Sequence, residues 1–209
     1  MKIHRRATRQ IWVGNVAVGG NAPITVQSMT NTDTRDVSST IAQARELEAW
    51  GCEIIRVAVP DAEAAGTIGK IMAAVNIPLI ADIHFNYRLA LAAIDAGANG
   101  VRINPGNIGG KEKLKEIASL AREKKAVIRV GVNAGSLERH LYAKHGGATA
   151  EALVESALSA VKFLEDTGFT NIKVSLKAAS VPVTVQAYRL FAAVSDYPLH
   201  VGITEAGTL

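Results

Sequence analysis

Apolar runs and amphipathic stretches alternate along the chain. Seven runs rich in β-branched residues read as strands: "PITVQSMT" (23–30), "EIIRVAV" (53–59), "IPLIADIHF" (77–85), "GVRINPG" (100–106), "AVIRVGVNAG" (126–135), "NIKVSLKAA" (171–179) and "LHVGITEAG" (199–207). Most are continuous rather than alternating, the pattern of strands covered on both faces. Between them lie Ala-rich helical stretches such as "SSTIAQARELEAW" (38–50), "YRLALAAIDA" (87–96), "KEKLKEIASLAREKK" (111–125) and "AEALVESALSAVKFLEDT" (150–167). Gly51, Gly97 and Gly168 stand just past three of these helices, where a left-handed residue ends the last turn.

Strands alternating with helices predict a parallel β/α architecture. Seven units without a Gly-rich dinucleotide fingerprint favour a (β/α)8 TIM-type barrel over a doubly wound sheet. A complete barrel needs eight strands, and the sequence ends at "ITEAGTL", directly after the seventh. The expected fold is therefore an incomplete barrel, residues 1–209 forming one truncated domain. "IWVGNVAVGGNAPI" (11–24) reads as a hairpin across the barrel bottom, with "GG" as its turn. The interval between the fifth and sixth strands is long, its extra length falling in "SLERHLYAKHGGATAEA" (136–152).

Chemistry in such barrels is done at the C-terminal ends of strands. Polar residues gather there: Gln27 and Ser28; Arg56; Asp82 and His84; Arg102 and Asn104; Arg129 and Asn133; Ser175 and Lys177; Thr204 and Glu205. Even spacings put Asp82 with His84, Arg102 with Asn104, Arg129 with Asn133, and Ser175 with Lys177 on one face each. The other face lies under helices, so these groups point into the barrel. Arg129 and Asn133 then mark two interior levels, roughly 13 Å apart on a regular strand. Arg56, Arg102, Arg129 and Lys177 converge on one mouth, and Asp82 and Glu205 balance only part of that charge. A polyanion supplies the rest, and arginine suits fork-like phosphate recognition. The mouth thus reads as a phosphate or diphosphate site.

Charge and composition narrow the classes. Lys plus Arg number 23 against 19 acids, a net charge of +4. The cations form no runs, which argues against nucleic-acid and membrane partners. A single cysteine, Cys52, excludes a disulfide framework and a Cys-only metal or iron–sulfur site. Following Gly51 at a strand start, it reads as a small buried hydrophobe. The basic start lacks the apolar segment of a signal peptide, and no stretch reaches membrane-span length. A cytoplasmic setting is expected. "DIHFN" (82–86) has two metal-ligand types but no third, so no metal is assigned. "NPGNIGG" (104–110) could cradle an anion ahead of a helix, though such a loop is more often a turn. His140 and His145 read as solvated loop residues, and "YRLALAAI" (87–94) as core packing.

Taken together, "VQSMTNTDTRDV", "RVAVP", "ADIHFNYRLAL", "RINPGNIG", "VGVNAGSL" and "GITEAG" resemble, in order and spacing, the 4-hydroxy-3-methylbut-2-en-1-yl diphosphate synthase family. The resemblance implies a TIM barrel whose mouth binds 2-C-methyl-D-erythritol 2,4-cyclodiphosphate. It implies a further C-terminal domain with a [4Fe-4S] cluster, absent from these 209 residues together with its cysteine ligands. Electrons from flavodoxin or ferredoxin would open the ring in a homodimeric enzyme of isoprenoid biosynthesis. Carried over by motif, Arg56, Arg102, Arg129, Asn133 and Lys177 would hold the diphosphate, and Asp82, His84 and Asn104 would line the pocket. Glu205 would stand near the reacting carbon as a proton donor to the leaving hydroxyl. The chain alone is expected to be inactive in reduction. Two alternatives stay open: a pterin-binding transferase on a similar barrel, and a non-catalytic diphosphate-binding module.

Overall fold

The computed structural model describes residues 5–202. Its centre is a curled parallel sheet of six strands in chain order: β3 (Gln27–Met29), β4 (Ile54–Ala58), β5 (Leu79–Asp82), β6 (Gly100–Ile103), β7 (Val127–Asn133) and β8 (Ile172–Lys177). Helices α1 (Val37–Ala49), α2 (Ala62–Met72), α3 (Tyr87–Asp95), α4 (Lys111–Glu123), α5 (Arg139–His145), α6 (Ala150–Asp166) and α7 (Val181–Val194) follow or separate the strands. This is the incomplete TIM-type barrel that the alternation predicted. Of the seventh expected strand, Leu199 makes a single parallel bridge to Val174. The rest of it, with Thr204 and Glu205, lies outside the described residues.

Local chemistry starts and stops these helices. Asp36, Asp61, Asn86, Thr149 and Ser180 each accept a hydrogen bond from a backbone N–H of the first turn, satisfying donors the helix leaves open. Gly51, Gly97 and Gly168 take φ of 91°, 103° and 78°, as a left-handed C′ position requires. The long interval after β7 holds a 3-10 turn (Ala134–Ser136) and α5. His140 is exposed as expected but lies in α5 rather than in a loop, and His145 is not a solvated loop residue either. It closes α5, with Nε2 2.8 Å from a Glu155 oxygen, because α5 lies against α6.

The barrel bottom is sealed by an antiparallel hairpin, β1 (Gln10–Val13) with β2 (Val16–Gly19). Ile11 and Val13 pack on Ile54, Ile80 and Val127, the lowest interior residues of β4, β5 and β7. The hairpin was expected; its turn was not. Val13 pairs with Val16, leaving Gly14 and Asn15 as the two turn residues. Gly14 has φ 56°, the conformation a type II′ turn needs at its first position. The "GG" of Gly19 and Gly20 instead ends β2. A Cβ on Gly19 would stand 2.4 Å from the Arg9 carbonyl oxygen.

An N-terminal strap completes the bottom. The Arg6 guanidinium donates to the carbonyls of Ala192 and Ser195, at the end of α7 where carbonyls lack helical partners, and to that of Tyr197 just beyond. Arg9 pairs with Asp196 at 2.6 Å and lies 3.8 Å over the Tyr197 ring.

The floor leaves little room for extra atoms. A Cβ on Gly100 would come 2.3 Å from Val127 Cγ1 and 2.6 Å from the Val127 carbonyl oxygen. Gly100→Ala should therefore lower stability by about 2 kcal/mol, seen as a lower midpoint in urea unfolding at unchanged slope.

Candidate functional site

Two residues above each floor position, the barrel interior turns polar. Side chains on a strand alternate, so Arg56, Asp82 and Arg129 share the inward face of Ile54, Ile80 and Val127. The strand register then sets neighbours. Asp82 pairs with Arg102, Arg102 with Arg129, and Arg129 with Lys173. One carboxylate and three cations thus stand side by side across four strands. Higher up, Gly131 pairs with Ser175 and Asn133 with Lys177.

Asp82 is the hub. Its Oδ1 lies 3.4 Å from Arg102 Nη1, and its Oδ2 lies 3.7 Å from Arg56 Nε and 3.5 Å from His84 Nε2. Among the described residues, it is the carboxylate that pairs with the interior arginines. Arg102 runs across β7 and donates from Nη2 to the Gly131 carbonyl at 3.4 Å. Only glycine permits that crossing, since a Cβ at residue 131 would stand 2.6 Å from Arg102 Nε. With its amide oxygen turned to Arg102, Asn133 accepts from Nη2 at 2.8 Å and donates to the Val132 carbonyl. The two interior levels of β7 are therefore bridged from the neighbouring strand: Arg102 fills the space between Arg129 and Asn133.

Beneath Arg102, Arg129 is 1% exposed. Its Nε and Nη1 have no hydrogen-bond partner. Burial, then the nearby Arg56, pushes the guanidinium down to about 9, so it stays charged at neutral pH. Burial and Arg129 likewise push Lys177, at the rim, down to about 8.

Two interior groups escaped sequence reading. Lys173 is 2% exposed, and its Nζ donates to Gln27 Oε1 at 3.1 Å. That bond spans the gap between the first and last strands of the sheet. Burial, with Arg129 and Arg56, pushes the amine down to about 7. The signal was available: Lys173 has the parity of Ser175 and Lys177. The second group is His200, pushed to about 2 by burial and the cations around it, hence neutral.

Other expected residues play narrower parts. Asn104 is buried, but its Nδ2 donates to Ser136 Oγ and its Oδ1 accepts from Gly106 N at 3.1 Å. Its amide thus locks two rim loops together. Gly106 allows their approach, a Cβ there falling 2.5 Å from the Ser136 carbonyl oxygen. Gln27 faces the interior through Lys173, whereas Ser28 takes the opposite face. His84 stands at the rim beside a cavity of about 320 Å³ lined by Ala58, Val59, Pro60, Asp82, Phe85 and Leu89.

These residues do not fit an iron–sulfur cluster. Cys52 is the one thiol of the sequence. It is buried at the foot of β4, Sγ 3.1 Å from the Ile54 carbonyl oxygen, at the end of the barrel away from the mouth. No group of three metal-ligating side chains exists among the described residues.

A buried cation without a partner among like charges should weaken the fold. Arg129→Met is expected to raise unfolding stability by about 1–3 kcal/mol in urea titrations.

Comparison with known proteins agrees with this architecture. Residues 8–209 match the GcpE TIM-barrel domain. The chain is 57% identical over 205 residues to the 4-hydroxy-3-methylbut-2-en-1-yl diphosphate synthase (flavodoxin) of Caldanaerobacter subterraneus, covering 98% of this chain and 58% of that protein. The enzyme of the same name from Geobacter sulfurreducens is 59% identical over 202 residues, covering 97% and 57%. The chain thus spans little more than half the length of these relatives. Among solved structures, type I 3-dehydroquinate dehydratase from Clostridium difficile superimposes with TM-score 0.69 at 15% identity, covering 95% of this chain and 81% of that one. Yersinia pestis dihydropteroate synthase gives 0.62 at 11%, covering 91% and 74%. At these identities the likeness is one of fold alone. The chain belongs to the GcpE family and corresponds to its TIM-barrel domain.

Proposed function

We propose that the barrel mouth binds the diphosphate of 2-C-methyl-D-erythritol 2,4-cyclodiphosphate. The chain would then be the substrate-binding part of an enzyme that opens this ring reductively to 4-hydroxy-3-methylbut-2-enyl diphosphate. The observation that carries the reading is the buried excess of positive charge around Asp82, with Arg129 Nε and Nη1 lacking a partner among the described residues. An anion entering the mouth meets pre-aimed cations and relieves their mutual repulsion.

The residues divide the work. Arg56, Arg102 and Lys177 reach the mouth and hold the phosphates. Arg129 supports them from below. Asp82 fixes Arg56 and Arg102 in place, and His84 and Asn133 finish the wall. Asn104 acts on the ligand through the loop it locks. Glu205 is the proposed proton donor to the leaving hydroxyl. A [4Fe-4S] cluster would supply electrons when present. With one buried thiol, the described residues offer it no seat, and a further domain of a longer, cytoplasmic, homodimeric protein would carry it. The relatives are named for flavodoxin, and flavodoxin or ferredoxin is the proposed donor.

Calorimetry with the cyclodiphosphate, a pterin and inorganic diphosphate tests the reading. The chain should prefer the cyclodiphosphate; a preference for the pterin would replace it. Arg102→Ala should weaken binding by about 1.5–3 kcal/mol, the worth of a lost charge-assisted contact. Supplied with a reductant, the 209-residue chain alone should show no turnover.

A further inference from the structure

The interior cations form two tiers. Arg56 and Arg102 keep 19% and 10% of their side chains exposed, and Lys177 is half-buried. Below them Arg129 and Lys173 stand in register on adjoining strands, 1% and 2% exposed. Among the described residues, neither lower cation has a carboxylate partner.

Among the described residues, what faces the Lys173 amine is neutral or positive. From β3, Gln27 offers one neutral acceptor. Arg129 faces it from β7 and Arg56 from β4. The neutral His200 ring comes from the segment after α7. On α7, the Tyr188 hydroxyl is engaged with Leu176 N and the His200 carbonyl. Lys177 shares its strand. Asp82, on β5, is already divided between Arg56 and Arg102. In such a cluster a guanidinium keeps its proton, whereas a buried amine can release one. Repulsion in the anion-free protein is therefore relieved at Lys173.

We infer that Lys173, which no motif assigns, is a positioning residue of the anion site: it takes one proton from solvent as an anion enters and supports the anion through Arg129. The inference rests on the reading that a diphosphate occupies the mouth. The amine lone pair accepts the proton, giving R–NH3+; no bond of the anion changes. An amine held at about 7 is mostly neutral in mildly alkaline solution. An anion overhead restores its charge, so affinity should fall as pH rises above that value.

The test is calorimetry with the cyclodiphosphate in two buffers of different ionisation enthalpy. Each of its phosphates has one ester and one anhydride link, so its single acidic proton is lost well below this range and any uptake belongs to the protein. At about pH 8 the wild type should take up on the order of one proton more than Lys173→Met or Lys173→Arg. Lys177 contributes to all three alike. Lys173→Arg, with a permanent charge, should bind close to wild type while losing the uptake. Lys173→Met should lose both the uptake and part of the affinity. A merely structural lysine would leave proton uptake unmoved. Equal uptake in wild type and either variant overturns this inference alone, and absence of binding to the wild type overturns the diphosphate reading with it. If neither variant folds, the pH profile of Lys177→Arg, which removes the other titrating amine of the site, decides. Affinity must fall by on the order of tenfold per unit above about pH 8, and a flat profile refutes the proton uptake.

Discussion

The structure depends on an imbalance of charge inside the curled sheet. Asp82 holds Arg56 and Arg102 through two carboxylate oxygens, while Arg129 and Lys173 are more deeply buried and have no such partner among the described residues. Desolvating cations in this way costs stability, and geometry has to hold them there. The apolar floor of Ile54, Ile80, Val127, Ile11 and Val13 keeps them from sinking. The strand register keeps them side by side. Gly131 lets Arg102 lie across its neighbour rather than swing out. Each element is ordinary; together they keep a positive potential aimed at one opening.

On the proposed reading, stability and binding are set against each other within a few residues. The lower half of the barrel is tightly packed and apolar. The upper half is polar, with its loops joined by the Asn104–Ser136 bond. That bond makes the rim part of the scaffold, so the cations above the floor are presented by a rigid wall. Electrostatic recognition gains most from such fixed groups, which need no reorganisation when the ligand arrives.

Much of this was legible in the chain. Continuous apolar runs, helix-ending glycines and period-two parity gave the parallel barrel and the inward set Arg56, Asp82, Arg102, Arg129, Asn133 and Lys177. The same parity rule, applied to the lower half of the sixth run, includes Lys173. Nothing local marks Lys173 as a strand end, since it lies four residues before Lys177, the last residue of β8. His200 was hidden for another reason: its environment consists of cations on other strands. Non-local pairing also decided the misses. The hairpin turn moved from "GG" to Gly14–Asn15 because register, not glycine count, places a turn. Asn104 meets Ser136 from a loop 32 residues away, and His145 meets Glu155 on a different helix.

The N-terminal strap has a consequence for how the chain assembles. Arg6 binds carbonyls up to 191 residues further along the chain, and Arg9 binds Asp196 187 residues away. Such contacts carry the full entropy of closing the longest loops the chain can make, so they belong late in folding. During synthesis the hairpin emerges well before its clasp at Asp196 and Tyr197 can be made. A growing chain would carry an unfastened floor, with Ile11 and Val13 waiting for strands still to come.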